Sequence, residues 1–256
     1  MMKLQFKPKG YNYWEWKNHK VHYVVQGEGH IVAFIHGFGA FAFHWRYNIP
    51  EIGKYFKLYA MDLLGFGWNQ VVDFAKDIVC TKALLVGNSV GGFTVLNATT
   101  SYPKIVSRVI LLNSSDQFES SINFAFWQAK QPAHIRPILN NVYIDKTNVD
   151  DYLVDSIVHP TKDPDPREVY YRLMSRYLFQ TSDLTLDKLL SQLSCPLLLP
   201  CGDFDPWMGA SKANKMESLY AQSSILRLQA GHSPHDEVPH LVNKALVELI
   251  SSIDCT

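Results

Sequence analysis

The chain has 256 residues, enough for one large domain with a sizeable core or for two small ones, and its 47% hydrophobic content is typical of a globular protein. Its 24 Lys and Arg residues balance 24 Asp and Glu residues, so charge favours neither nucleic acid nor an anionic membrane as a main partner. The four cysteines have no metal-ligand spacing, so we expect reduced thiols and no metal or cofactor. No apolar run is long enough to span a membrane, and residues 1–10 show no signal- or transit-peptide character.

The first elements alternate between strands and helices. Residues 11–16 alternate aromatic and polar side chains, and residues 20–25 follow after a short turn, which together predict an antiparallel hairpin. Residues 31–35 form an unbroken apolar run, as expected of a strand buried on both faces of a parallel sheet. The loop His36-Gly37-Phe38-Gly39 follows, and we predict a helix over residues 44–55.

The same alternation continues to residue 112. It predicts strands at residues 57–61, 84–87 and 108–112, with helices over residues 71–79 and from Phe93 to about Ser101. Repeated strand–helix units of this kind indicate an α/β fold with a mainly parallel sheet.

Residues 115–193 break the alternation, because they contain only helical patterns. We predict helices at 122–130, 132–142, 149–158, 166–179 and 184–193, and interpret the segment as a helical cap over the carboxyl edge of the sheet, where open α/β sheets bind ligands. A strand at 196–200, a helix at 212–220, a strand at 224–228 and a helix at 238–250 follow. The chain is thus predicted as a core of residues 1–114 and 194–256 interrupted by a cap of residues 115–193.

A strand-to-helix turn with the pattern Gly-x-Ser-x-Gly lies at Gly87-Asn88-Ser89-Val90-Gly91. A serine on such a turn is lifted above the sheet edge, and Gly87 and Gly91 leave room for the tight backbone. The pattern predicts that Ser89 is a nucleophile.

A serine hydroxyl needs an adjacent base that is itself held by an acid. His232 directly follows the last predicted strand and is the expected base, and Asp205, in the loop after the strand at 196–200, is the expected acid. Two alternatives stay open for the acid: Asp203 in the same loop, and Asp116 after the preceding strand.

Acyl transfer also needs hydrogen-bond donors for the oxyanion. We expect the backbone N–H of Val90 and that of Phe38, in the Gly37-Phe38-Gly39 loop, to supply them. His36 is expected to pin this loop. The aromatic residues near the predicted site either line a pocket or fill the core: Phe41, Phe43, Trp45, Phe124, Phe126, Trp127 and Trp207.

Several further motifs carry a family resemblance. They are Trp45-Arg46-Tyr47-Asn48-Ile49-Pro50, Asp62-Leu63-Leu64-Gly65-Phe66-Gly67-Trp68, Phe126-Trp127-Gln128-Ala129-Lys130, Asn148-Val149-Asp150-Asp151-Tyr152, the segments 202–207 and 231–239, and the motifs around His36 and Ser89. Together they resemble the plastid α/β-hydrolases of plants and algae related to chlorophyll dephytylase and pheophytinase.

The resemblance implies an α/β-hydrolase fold, chloroplast residence with peripheral contact at the thylakoid membrane, and hydrolysis of a lipophilic ester such as the phytyl ester of a chlorophyll-type pigment. The connection after Trp68 and the cap after Phe118 are shorter than in that family. Two other functions stay open: a general carboxylesterase or lipid acyl hydrolase, and a receptor-like protein that binds a ligand with little turnover. An aspartate-dependent dehalogenase or epoxide hydrolase is disfavoured because the turn carries Ser89. The sequence predicts no oligomeric state.

Overall fold

The fold is taken from a computed structural model that describes residues 1–64, 68–114, 132–161 and 185–251. One sheet of eight strands forms its centre. The strands are β1 (Asn12–Trp16), β2 (His19–Gln26), β3 (Ile31–Ile35), β4 (Lys57–Met61), β5 (Ala83–Asn88), β6 (Val106–Leu112), β7 (Leu197–Gly202) and β8 (Ser223–Leu228). Their order is β1-β2-β4-β3-β5-β6-β7-β8, with β1 and β2 antiparallel to their neighbours and all other pairs parallel. The predicted hairpin and parallel sheet are confirmed.

The helices cover both faces of this sheet. They are α1 (Ile49–Ile52), α2 (Trp68–Phe74), α3 (Val90–Ser101), α4 (Pro132–Val142), α5 (Asp151–Thr161), α6 (Leu186–Ser191), α7 (Ala210–Leu219), α8 (Pro234–Glu237) and α9 (Pro239–Ser251). None of the described helices is long and apolar enough to cross a membrane. The whole arrangement is the α/β-hydrolase fold that was expected.

The hydrophobic core consists of two layers because successive strand side chains point to opposite faces. In β3, Ala33 and Ile35 join the layer under α2 and α3, while Val32 and Phe34 join the layer under α1 and α9. Strands buried on both faces explain the unbroken apolar runs in the sequence.

The predicted helix over residues 44–55 is wrong. A 3₁₀ turn at Ala42–Trp45 is followed by the short helix α1. Pro50 lacks the N–H that a continuous helix would need, so a helix restarts only where the proline falls in its first turn. The predicted helix over residues 71–79 begins earlier, at Trp68, and its last part, Ala75–Val79, is a π-turn.

Between β6 and β7 the described residues contain helices and no strand. We call α4, α5 and the residues that join them the cap; Val142, Tyr143, Val149 and Leu153 form its own small cluster of buried side chains. The predicted helices at 122–130 and 166–179 lie outside the described residues. Helix α6 differs from the cap, because its buried leucines pack into the layer under α2 and α3. The division of the chain at residues 115 and 193 stays a prediction.

Candidate active site

Ser89 stands at the turn between β5 and α3 in a strained conformation. Its φ of 56° and ψ of −125° are rare for a residue with a side chain. The turn is tight: a Cβ on Gly87 would lie 2.5 Å from Gly92 Cα, and a Cβ on Gly91 would lie 2.3 Å from the His36 carbonyl oxygen. Gly87 and Gly91 are thus required for the reason that the sequence suggested. Gly92 is required as well, since its Cβ would lie 2.3 Å from Ser114 Oγ.

His232 and Asp205 are hydrogen-bonded to each other. The distance between His232 Nδ1 and Asp205 Oδ2 is 2.7 Å, and the Asp205 side chain is fully buried. Asp205 Oδ1 accepts a hydrogen bond of 2.8 Å from the Trp207 backbone N–H. Burial raises the pKa of Asp205, but His232 and the backbone N–H groups of Trp207 and Met208 more than offset it, and the pKa is lowered. Asp205 is therefore a carboxylate at neutral pH.

The other two candidate acids do not share this contact. Asp203, in the same loop, forms an ion pair with Arg227 at the protein surface, with 2.9 Å between Arg227 Nη1 and Asp203 Oδ1. Asp116 lies outside the described residues.

The serine turn and the histidine loop meet through Asn88. Its Nδ2 donates hydrogen bonds to the backbone carbonyls of Leu112, at 3.1 Å, and His232, at 3.2 Å. Asn88 directly precedes Ser89, so this contact holds the two loops side by side. The ends of β5, β7 and β8 thus bring Ser89, Asp205 and His232 to the same edge of the sheet.

The loop after β3 contacts Ser89 from the other side. A Cβ on Gly37 would lie 3.0 Å from Ser89 Cβ. His36 pins this loop, as predicted: its Nδ1 lies 2.8 Å from the Gly37 carbonyl oxygen, and its Nε2 accepts a hydrogen bond of 2.9 Å from the Leu63 backbone N–H. Burial lowers the pKa of His36, which keeps the ring neutral with its proton on Nδ1.

This hydrogen bond fixes the direction of the Phe38 N–H. The Gly37 carbonyl and the Phe38 N–H belong to one planar trans peptide, so they point in opposite directions. Because His36 holds the carbonyl on one side, the N–H is directed to the other. The Val90 N–H belongs to the first turn of α3, whose N–H groups have no partner within the helix.

Asn113 holds the acid in place and was not identified from the sequence. Its Nδ2 donates to Asp205 Oδ2 at 2.7 Å, and its Oδ1 accepts from the Gly202 backbone N–H at 2.9 Å. Its φ of 42° is tolerated by asparagine better than by most residues. Its position in the sequence pointed to the site, because Asn113 directly follows the buried strand β6 and so lies at the carboxyl edge of the sheet.

A buried arginine joins the cap to the core behind the histidine loop. The fully buried Arg46 binds Asp236 through Nε at 2.7 Å and Nη2 at 2.9 Å, and it also binds Asp150 and the Asn148 carbonyl in the cap. Tyr143 Oη donates to Asp236 Oδ2 at 3.0 Å. These residues were missed because their partners lie more than 90 positions away in the sequence.

The aromatic residues near the site divide between core and site. Trp45 is fully buried and stacks on Phe34 with 4.5 Å between ring centroids, and Phe43 belongs to the same core layer. Trp207 instead packs its ring against His232, with 5.0 Å between centroids, and Phe41 lies 5.8 Å from the His36 ring. Phe124, Phe126 and Trp127 lie outside the described residues.

Known proteins match most of the chain. A sequence model described as "Alpha/beta hydrolase family" matches residues 32–245. The chloroplastic pheophytinase of Arabidopsis thaliana is 24% identical over 90% of this chain, which spans 64% of that protein's length. The pimeloyl-[acyl-carrier protein] methyl ester esterase of Aliivibrio fischeri is 24% identical over 84% of this chain and 91% of its own length. The solved structure of a meta-cleavage product hydrolase from Pseudomonas fluorescens covers 96% of this chain and 100% of its own with a TM-score of 0.83 at 19% identity, which supports the fold.

Proposed function

Because the chain belongs to the alpha/beta hydrolase family, we propose that it hydrolyses a carboxylic ester with a triad of Ser89, His232 and Asp205. The observation that carries the proposal is the 2.7 Å hydrogen bond between His232 and the buried Asp205 carboxylate, at the sheet edge where Ser89 stands. A serine, a histidine and an acid in this arrangement are the parts that acyl transfer needs.

The proton positions follow from the charge of Asp205. Since this carboxylate is ionised, His232 donates its Nδ1 proton to it, which leaves Nε2 with a lone pair. Ser89 Oγ then attacks the ester carbonyl while Nε2 takes the serine proton. Nε2 returns this proton to the departing alcohol, and a water molecule releases the acyl group by the same route. Asp205 stabilises the imidazolium that forms in both steps.

The oxyanion is proposed to bind the N–H groups of Phe38 and Val90. Both belong to segments that adjoin Ser89, and the hydrogen bond from His36 to the Gly37 carbonyl fixes the side of the peptide to which the Phe38 N–H points. A donor that is fixed before the reaction costs no reorganisation when the charge develops, and each one lowers the barrier by roughly 3 kcal/mol.

We propose a lipophilic ester as the substrate, with the phytyl ester of a chlorophyll-type pigment as the specific candidate. The Trp207 ring beside His232 and the Phe41 ring beside His36 offer apolar surface at the site. The likeness to a chloroplastic protein named pheophytinase supports the pigment and residence in the plastid. Contact at the thylakoid surface is proposed from the family resemblance of the sequence motifs alone. The likeness to a methyl ester esterase supports ester hydrolysis in general.

The triad is tested by turnover of a short-chain aryl ester. We expect Ser89→Ala to lower kcat by at least about 10³-fold, because the variant lacks the proposed nucleophile. Ser101→Ala is the matched control, since Ser101 is exposed at the end of α3 and should leave kcat unchanged. Full activity of the Ser89 variant would refute the assignment.

The substrate is tested by incubating the protein with chlorophyll and with pheophytin and measuring chlorophyllide and pheophorbide. Formation of either product supports the pigment. If neither forms while aryl esters are cleaved, the pigment proposal is wrong and the carboxylesterase remains. Ligand-dependent stabilisation with negligible turnover would instead identify a receptor-like protein.

A further inference from the structure

Glu237 ends the short helix α8 and directs its carboxylate back towards the loop that carries His232. Its Oε1 accepts a hydrogen bond of 2.8 Å from the Gly231 backbone N–H, and its Oε2 accepts one of 2.7 Å from the Ile144 backbone N–H. One side chain therefore joins the histidine loop to the residues that follow α4 in the cap.

A second contact joins the same two segments. The backbone N–H of His232 itself donates to the carbonyl oxygen of Val142, the last residue of α4, at 3.0 Å. Gly231 makes this approach possible, because a Cβ there would lie 2.2 Å from the Val142 oxygen and 2.9 Å from Glu237 Oε1. The backbone of the proposed base is thus bonded to the cap as well as to the core.

A carboxylate is the group that this place requires. Its two oxygens accept from both backbone N–H groups, whereas an amide would direct an NH₂ group at one of these donors. Burial raises the pKa of Glu237, although nearby backbone N–H groups, including those of Ile144 and Gly231, favour its ionised form. The bond to Gly231 is partly buried and the bond to Ile144 is exposed to solvent, so the carboxylate holds the two segments together at the edge of the cap.

We propose that Glu237 is a positioning residue for His232, which holds the base in place by fastening its loop to the end of α4. The proposal rests on the assignment of His232 as the catalytic base. The cap then contributes to the chemistry by holding the backbone of the histidine loop. Loosening the cap at Ile144 would also loosen the base.

The test compares Glu237→Gln with Glu248→Gln. Both variants exchange a carboxylate for an amide of the same shape, but Glu248 is exposed on α9 and has only a 3.8 Å ion pair with Lys244. For Glu237→Gln we expect kcat on an aryl ester, per titrated active site, to fall by about tenfold or more with KM changed less than twofold, because a displaced base slows chemistry more than binding. Glu248→Gln should match the wild type.

Hydrogen exchange supplies a readout that does not depend on activity. In Glu237→Gln, amide exchange should rise by about tenfold both at residues 142–145 and at residues 231–233, because the amide has one acceptor oxygen for two donors and no longer bonds the two segments to each other. A role in global stability alone would lower the unfolding midpoint and leave kcat and both local exchange rates of the folded protein unchanged. That outcome would overturn the proposal, as would faster exchange in the cap segment with normal kcat.

The wild-type protein provides a measurement that needs no variant. The Gly231 and Ile144 amides should show protection factors that agree within about tenfold across a denaturant series, because they open together. Independent opening would overturn the coupling. Absence of esterase activity in the wild type would refute the proposed function and leave this exchange test of the Glu237 contact intact.

Discussion

Replacing Arg46 with methionine tests how strongly the buried charge pair holds the cap on the core. Methionine fills much of the space but removes all four hydrogen bonds that the guanidinium makes. The side chain of Asp236 is fully buried and loses both of its hydrogen bonds from Arg46, while the bond from the Tyr143 hydroxyl remains. Asp150 is 35% exposed and can be solvated instead.

The expected cost follows from the charge that remains buried. Breaking a buried ion pair on one side lowers the free energy of unfolding by about 3–5 kcal/mol, because the other charge loses its compensation. At about 2–4 °C per kcal/mol for a domain of this size, Tm should fall by roughly 6–20 °C. Urea unfolding followed by circular dichroism measures the loss in the free energy of unfolding, and thermal unfolding measures the fall in Tm.

Two further variants separate the charge from the volume. Arg227 is 38% exposed and pairs with Asp203 at the protein surface. Arg227→Met should therefore lower the free energy of unfolding by only about 0–1 kcal/mol. Arg46→Met combined with Asp236→Asn removes both charges, keeps an acceptor for Tyr143, and should regain about half of the loss. If the double variant is no more stable than Arg46→Met, the cost does not come from an uncompensated carboxylate and the reasoning is wrong.

Three other predictions concern the site. Asp205→Asn should lower kcat on an aryl ester by about 10³–10⁴-fold with little change in KM, because an amide cannot hold the His232 tautomer; a loss under tenfold would contradict the triad. His36→Phe should lower kcat by about ten- to a hundredfold, because the Gly37 carbonyl is released and the Phe38 N–H loses its direction; unchanged kcat would contradict the oxyanion loop. The pKa of Asp205 is below its usual 3.8 in the folded protein, so its stabilisation is present above about pH 4 and lost as the pH falls through the lowered value. Urea midpoints between pH 6 and pH 3 should therefore fall less steeply for Asp205→Asn than for wild type.

Local patterns in the sequence were sufficient for most of the fold. The run at residues 31–35 matches β3 residue for residue, and the periodicity over residues 132–142 matches α4. These features depend on near neighbours, so a sequence displays them directly. The helix predicted at residues 44–55 was wrong because Pro50 interrupts it.

The positions of the proposed catalytic residues were also predictable, because each follows a strand at the same sheet edge. The residues that hold them were not. Asn113 reaches Asp205 across 92 positions, and Glu237 meets Ile144 across 93. Asparagine and glutamate in loops have many ordinary roles, and only the folded chain shows which carbonyl or N–H they meet.

The core layer beneath α1 and α9 has a consequence for synthesis on the ribosome. Its early members, such as Phe34 and Trp45, share one buried cluster with Val242, Leu246 and Ile250 of α9, and Asn48 bonds Asn243 across 195 positions. At about 5–20 residues per second, the ribosome needs roughly 10–40 s to make that length of chain. Throughout this interval one apolar face of the nascent sheet lacks its native cover. Holding chaperones therefore have a defined surface to protect, and a ribosome that stalls before α9 leaves an aggregation-prone product.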